Sequence, residues 1–171
     1  INNKIIKTEL VHLNNTGIQG FAFNTRKNIF NEINLRKAIT MVFDFEWSNK
    51  NLFYNQYLRS DSYFSNSELV ADIKPSNDEL MLVEKLNINK IKVKDKIKLP
   101  INKSPSDYRK SLIGAKKILD KSGYIVRNGQ LYSPSNQPII INFLLAQKGF
   151  ERILAPFRNN LKRLGLSLIH I

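Results

Sequence analysis

Apolar positions along the chain change period several times, and each change marks an element. Ile5 to Leu13 reads as a strand closed by the turn sequence Asn14-Asn15-Thr16-Gly17. Ile18 to Asn24 reads as a second strand, with Phe21 and Phe23 on one face and Ala22 and Asn24 on the other. The period then shifts to 3.6. Leu35, Ala38, Ile39, Val42 and Phe43 fall at i, i+3, i+4, i+7 and i+8, the buried stripe of a helix for which Asn34 is the expected N-cap. Asp44 is placed to cap a further helix over 45–56, which carries Trp47, Phe53 and Tyr54. Residues 57–76 show no period, and Asn77 or Asp78 opens a short helix over 77–86.

The second half is more regular. Ser106 is the expected cap of a helix over 107–121, with Tyr108, Leu112, Ala115 and Leu119 inward and Ser122-Gly123 as its stop. Asn128-Gly129, between Tyr124–Arg127 and Leu131-Tyr132, signals a hairpin. Ile139 to Leu145 reads as a strand, and its three consecutive Ile predict burial on both faces. A helix over 149–164 aligns Phe150, Ile153, Leu154, Phe157, Leu161 and Leu164, with Pro156 expected to kink it. Gly165 ends it, and 166–171 is again a strand. Strand, helix and strand in succession predict two parallel strands with the helix across them. The expected class is therefore α/β, a mixed sheet with flanking helices.

Charge complicates this picture. The 171 residues carry 27 Lys plus Arg against 14 Asp plus Glu, a net +13, which first points to nucleic acid. Residues 1–84 hold 9 basic and 10 acidic groups, 85–121 hold 12 and 3, and 122–171 hold 6 and 1, so the middle third carries most of the excess. There are 19 Lys but only 8 Arg, beside 21 Asn and 21 Ile, the residues that AT-rich codons supply. Nucleic-acid surfaces favour Arg. The densest stretch, Lys90 to Lys98, alternates apolar and charged residues. It reads as a half-exposed strand or extended edge, with a phosphate or membrane contact as the other reading. No aromatic residue interleaves there to stack bases. A basic nucleic-acid-binding domain stays open as the alternative function.

The search for chemistry is short. With 42% apolar residues a folded core is expected, and zero Cys excludes disulfides, zinc-thiolate sites and thiol nucleophiles. No apolar run approaches the roughly 18–20 residues of a membrane span. His12 and His170 lie in predicted strands near opposite ends, without metal-ligand spacing, and no Gly-rich phosphate loop or Gly-x-Ser-x-Gly elbow occurs. No catalytic residue, metal ligand or cofactor site is assigned. What stands out is a concentration of aromatics beside amides and charges between residues 20 and 67. It is either an aromatic core under a long loop or a wall that faces a ligand.

Those residues carry a family resemblance. Gly20-Phe21-Ala22-Phe23-Asn24, then Phe30, then Leu35-Arg36-Lys37-Ala38, resembles the signature of the second lobe of peptide-type extracellular solute-binding proteins (family 5) of ABC importers. The run Phe43-Asp44-Phe45-Glu46-Trp47-Ser48-Asn49-Lys50, with Leu52 to Arg59 and Ser62 to Leu69, is similar to the Yej-type oligopeptide-binding branch. Ala115 to Leu119 before Gly123-Tyr124, Phe150-Glu151-Arg152, and Pro156-Phe157 to Gly165 extend the likeness. Asn28-Ile29-Phe30 lacks the family's Pro before Phe.

The resemblance implies a type II periplasmic-binding-protein-like fold, with this chain as part of one lobe, and a periplasmic location. It implies no enzyme activity, an oligopeptide ligand closed between two lobes, membrane permease subunits as partners, and no nucleic acid. The candidate ligand-binding residues are Phe21, Phe23, Asn24, Trp47, Tyr54, Tyr57 and Arg59, with Arg59 matched either to a peptide carboxylate or to a surface ion pair. Asp44 is assigned to capping. The start Ile1-Asn2-Asn3-Lys4 without Met, and the apolar end Leu166 to Ile171, read as a segment of a longer polypeptide. Residues 1–171 are thus expected to be a partial second lobe, not competent to bind alone and marginally stable. In a thermal melt of the 171-residue monomer, a broad transition is expected; a sharp, reversible one counts against this.

Overall fold

The computed structural model describes residues 6, 8, 10, 17–65, 67–70, 75–86 and 99–170. Five helices and four strands occur among them: α1 (Ile33–Met41), α2 (Phe45–Leu52), α3 (Asn77–Lys85), α4 (Pro105–Lys121), β1 (Ile125–Arg127), β2 (Gln130–Tyr132), β3 (Ile140–Phe143), α5 (Glu151–Lys162) and β4 (Ser167–His170). The chain divides into two compact units. One comprises Ile1–Gly20 and Ser60–Ile97, the other Phe21–Arg59 and Lys98–Ile171.

In the first unit, α3 starts at a capping box: Glu79 N–H donates to Ser76 Oγ, and Ser76 N–H donates to the Glu79 carboxylate at 2.7 Å. The expected strand Ile5–Leu13, with His12, falls largely outside the described residues, as does the Lys90–Lys98 segment.

The second unit holds the core. α1 and α4 lie antiparallel. Asn34 at the start of α1 donates to Ser122 Oγ just past the end of α4, and Tyr108 near the start of α4 donates to the Val42 carbonyl at the end of α1. Between these ends Leu35, Ala38, Ile39 and Val42 meet Ala115 and Leu119, all buried. Both long helices close with a Schellman motif on glycine. Gly123 and Gly165 take φ of +79° and +76°; Tyr124 N–H bonds the Leu119 carbonyl, and Leu166 N–H the Leu161 carbonyl. The hairpin forms at Asn128-Gly129, whose positive φ values suit the right-handed twist of its strands. β3 and β4 pair in parallel, Ile140 with Ser167 through Phe143 with His170, and α5 lies between them in sequence. Its residues Ile153, Leu154, Phe157 and Leu161 are buried.

Several expectations are corrected. Residues 18–24 are not a strand: none of them pairs with another strand among the described residues, and the half-exposed Phe21 ring packs against Phe43, Phe143 and Phe157 instead. Asn34 lies inside α1, whose N-cap is Glu32, and spends its amide on Ser122. α2 ends at Leu52 rather than Gln56, because Tyr54 and Asn55 take φ of 54° and 59°, which breaks the helix. α4 begins two residues earlier than expected. Ser104 caps it, and Pro105, with fixed φ and no N–H to lose, fills its first position. β3 is buried on one face only: Ile141 is inside, while Ile140 is 43% exposed, as a two-stranded sheet covers only one side. α5 starts at Glu151, after a 3-10 turn over Lys148–Phe150.

Gly165 has a second reason to be glycine. A Cβ there would lie 3.0 Å from Leu131 N and 3.2 Å from the Val126 methyls, because the Gly165 carbonyl accepts from Leu131 N–H at 2.7 Å. Gly129 has the same sign of φ but open space around it. Gly165→Ala is expected to be digested by a nonspecific protease about 5-fold faster than Gly129→Ala, a gap of about 1 kcal/mol in opening free energy. Equal rates would show that only backbone strain matters at 165.

Candidate functional site

Three stretches of the second unit converge on an open cleft of about 1100 Å³: α2 with its preceding residues, the loop 102–105 with the start of α4, and the middle of α5. Its floor is aromatic. Phe43, at the end of α1, meets Phe157 of α5 edge to face at 5.2 Å, and Phe21 and Phe143 complete a four-ring cluster beneath, at 4.9–6.1 Å. Trp47, Tyr108 and Pro156 extend the lining.

Polar groups position these rings. Asp44 Oδ1 accepts from Trp47 N–H at 3.3 Å, which fixes the start of α2 and sets Trp47 at the cleft, 46% exposed. Ser48 returns its hydroxyl to the Asp44 carbonyl at 2.8 Å. Across from α2, Asn102 is buried and fully engaged. Its N–H donates to Glu46 Oε2 at 3.0 Å, its Nδ2 donates to Asp44 Oδ1 at 3.4 Å, and its Oδ1 accepts from Ser111 Oγ at 2.8 Å. A buried amide satisfied on both sides joins loop, α2 and α4 into one frame. On the α5 side, Asn160 Nδ2 and the Tyr108 hydroxyl both donate to the Val42 carbonyl at 3.3 Å.

The electrostatics follow from burial. Burial pushes the Asp44 carboxyl above its usual range; the Trp47 N–H and the Asn102 amide oppose this, Glu46 adds to it, and Arg59 pulls the other way. Burial lowers Arg59 from its ordinary value, against the charges of Glu46 and Asp44. Burial raises Tyr108 well above the normal phenol range, with Arg163 opposing. The rim carries Lys50, Lys103, Arg109 and Arg163, all exposed. The cleft thus offers aromatic faces, carboxamides and cations: groups that hold and orient a ligand.

Of the seven residues singled out from the sequence, Trp47 lines the cleft and Phe21 lies in the ring cluster under its floor. Arg59 is near the cleft wall: it donates to the Pro100 carbonyl at 2.8 Å and lies over the Phe45 ring at 5.7 Å. Phe23 packs on Phe30 at 5.3 Å, and Asn24 closes a turn with Arg26 and Lys27, both away from the lining. Tyr54 is 80% exposed, and Tyr57 packs on Phe53 at 4.7 Å with its backbone held by Asn49; neither lines the cleft. Sequence reasoning missed Asn102 and the rim cations. One signal was present: Ser111 falls on the inward stripe of Tyr108, Leu112 and Ala115, where a hydroxyl needs a partner.

Since the Asp44 pKa is higher in the folded chain than in the unfolded one, the folded state holds more protons just above pH 3.8. Stability from this group therefore falls as pH rises through the folded pKa. Relative to the parent, Asp44→Asn is expected to gain in urea midpoint between about pH 4 and pH 7, since Asn still caps α2. A gap between the two that is flat with pH would contradict the assignment.

Residues 2–169 match the family "Bacterial extracellular solute-binding proteins, family 5 Middle". The "Uncharacterized protein YejA" of Escherichia coli (strain K12) is 32% identical over 167 residues, 96% of this chain and 28% of that protein. The "Probable peptide-binding protein YejA" of Agrobacterium fabrum is 32% identical over 172 residues, again 96% of this chain and 28% of that one. This chain thus spans little more than a quarter of the length of the curated relatives it matches. Among solved structures, the oligopeptide-binding protein AppA from Bacillus subtilis, in complex with a nonapeptide, superposes at a TM-score of 0.58 and 17% identity over 87% of this chain and 25% of that one. That likeness shows the fold, a type II periplasmic-binding-protein-like one, in keeping with the mixed helices and sheet described above.

Proposed function

The chain belongs to the bacterial extracellular solute-binding proteins of family 5, and from that premise we propose that it serves as part of the peptide-binding component of an ABC importer. In this reading residues 1–171 form part of the second lobe of a longer polypeptide. An oligopeptide is captured outside the cytoplasm, in the periplasm, and passed to membrane permease subunits. The observation that carries the reading is the aromatic-floored cleft with Trp47 exposed at its edge. Aromatic walls offer broad contact to side chains of many kinds, and carboxamides such as Asn51, Asn55, Asn159 and Asn160 suit the ligand's peptide groups.

Each candidate then has a part. Trp47 touches the ligand. Tyr54 and Tyr57 offer aromatic surface just beyond the cleft, and Phe21, Phe23, Asn24 and Arg59 support the frame from behind. Closure of a second lobe would bury the ligand, a hinge motion drawn by contacts made only in the closed state. Among the described residues no helix is long and apolar enough to cross a membrane.

Calorimetric titration of the full-length polypeptide that carries this segment, against a mixed oligopeptide pool, is expected to give saturable heat that Trp47→Ala reduces at least about 10-fold in affinity. Heat from no peptide pool would sink the proposal. So would filter binding of an oligonucleotide with a steep salt slope, which belongs to the nucleic-acid alternative.

A further inference from the structure

We propose that the cleft is specific for a peptide carboxylate, of a side chain or of the C-terminus, carried beside an apolar or aromatic group. This deepens the peptide-binding reading above and rests on it. The argument starts from which charges are already spent. The cleft holds two acids, and both face the chain's own donors. Asp44 accepts from Trp47 N–H and Asn102 Nδ2, Glu46 accepts from Asn102 N–H, and the Arg59 charge acts on both.

The rim is different. Among the described residues, Lys50, Lys103, Arg109 and Arg163 make no salt bridge; the two that are described, Lys110–Asp107 and Lys116–Asp120, lie within α4 and use other cations. Asp107, in the same turn as Arg109, is held by Lys110 and by the Ser104 hydroxyl. Among the described residues, then, four cations stand around the aromatic floor without a salt bridge, beside two acids that face the chain's own donors.

Composition does not account for this. Lysine is the commoner cation, but only 8 arginines occur in the chain, and two of them, Arg109 and Arg163, line this one cleft. A guanidinium beside rings is suited to a carboxylate, which it grips with two parallel N–H bonds, while the ring faces take the adjoining apolar group.

The test uses the full-length polypeptide that carries this segment. Three probes are titrated calorimetrically: N-acetyl-Phe-Glu amide, N-acetyl-Phe-Gln amide, and N-acetyl-Phe-Gln with a free C-terminus. Both carboxylate probes are expected to half-saturate at a concentration at least about 10-fold below the neutral amide, the effect of one strong ionic pair. If only one does, the carboxylate comes from that source, side chain or terminus, and the proposal stands. Arg109→Gln with Arg163→Gln should erase the difference, and Lys at both positions should restore part of it. Equal responses to all three probes, no response to any, or a preference untouched by the double variant would overturn the proposal. So would a stronger response to an oligothymidylate. Should the full-length polypeptide bind the mixed peptide pool but answer all three probes equally, the carboxylate preference fails and the importer reading stands.

Discussion

Four phenylalanine rings from four separate stretches of chain meet beneath the cleft, and the groups above them take their positions from that contact. Phe21 enters from the segment before α1, Phe43 from its end, Phe143 from β3 and Phe157 from α5. Each edge-to-face pair contributes about 0.5–1.5 kcal/mol beyond its buried area, with a preferred angle as well as a distance. The geometry matters more than the energy here. Rings at near-right angles cannot slide past one another without losing the contact, so α1, α5 and β3 are held in one relative orientation.

On that floor the polar frame has little freedom. Among the described residues Asn102 is the only one that bonds α2 and α4 at once, and its neighbours are charged. Two carboxylates close to each other in a half-buried site would repel; Arg59, lodged between the Phe45 ring and the Pro100 carbonyl, keeps both tolerable. The division of labour is spatial. Negative charge sits at the inner wall, engaged with backbone and amide donors, while the cations stand at the rim in water. A ligand that enters the cleft therefore passes the rim cations first and meets the engaged carboxylates only at the inner wall.

Much of the fold was legible in the sequence because it is local. The stripes of α1, α4 and α5, the cap at Asp44, the Asn128-Gly129 turn and the glycine stops at 123 and 165 each depend on residues within one or two turns of each other. The misreadings have physical causes. An alternating run such as Ile18 to Asn24 becomes a strand only with a partner, and among the described residues none pairs with it. Pro105 and Ser104 outcompeted Ser106 because a proline at the first helical position sacrifices no hydrogen bond. Tyr54 and Asn55 adopt a backbone conformation that their identities do not demand. The cleft was less legible still. Its walls come from residues 43–55, 102–112 and 156–163, and no periodicity links Asn102 to Glu46 or Arg163 to Tyr108. An aromatic-rich stretch drew attention to 20–67, of whose candidates Trp47 lines the cleft, while the amides and arginines that complete the cleft looked like ordinary surface residues.

The bond from Arg59 to the Pro100 carbonyl has a topological meaning as well. It spans 41 residues of sequence and closes the gap through which the chain leaves the second unit and comes back to it. Whatever the intervening stretch does, its two ends are pinned within one hydrogen bond of each other by residues that belong to the frame of the cleft. The entropic cost of closing such a loop grows only with the logarithm of its length, so residues can be added to it or exchanged at little penalty. The lysine-dense run lies within that stretch of sequence, so its charge can drift with codon usage while the Arg59–Pro100 bond is kept.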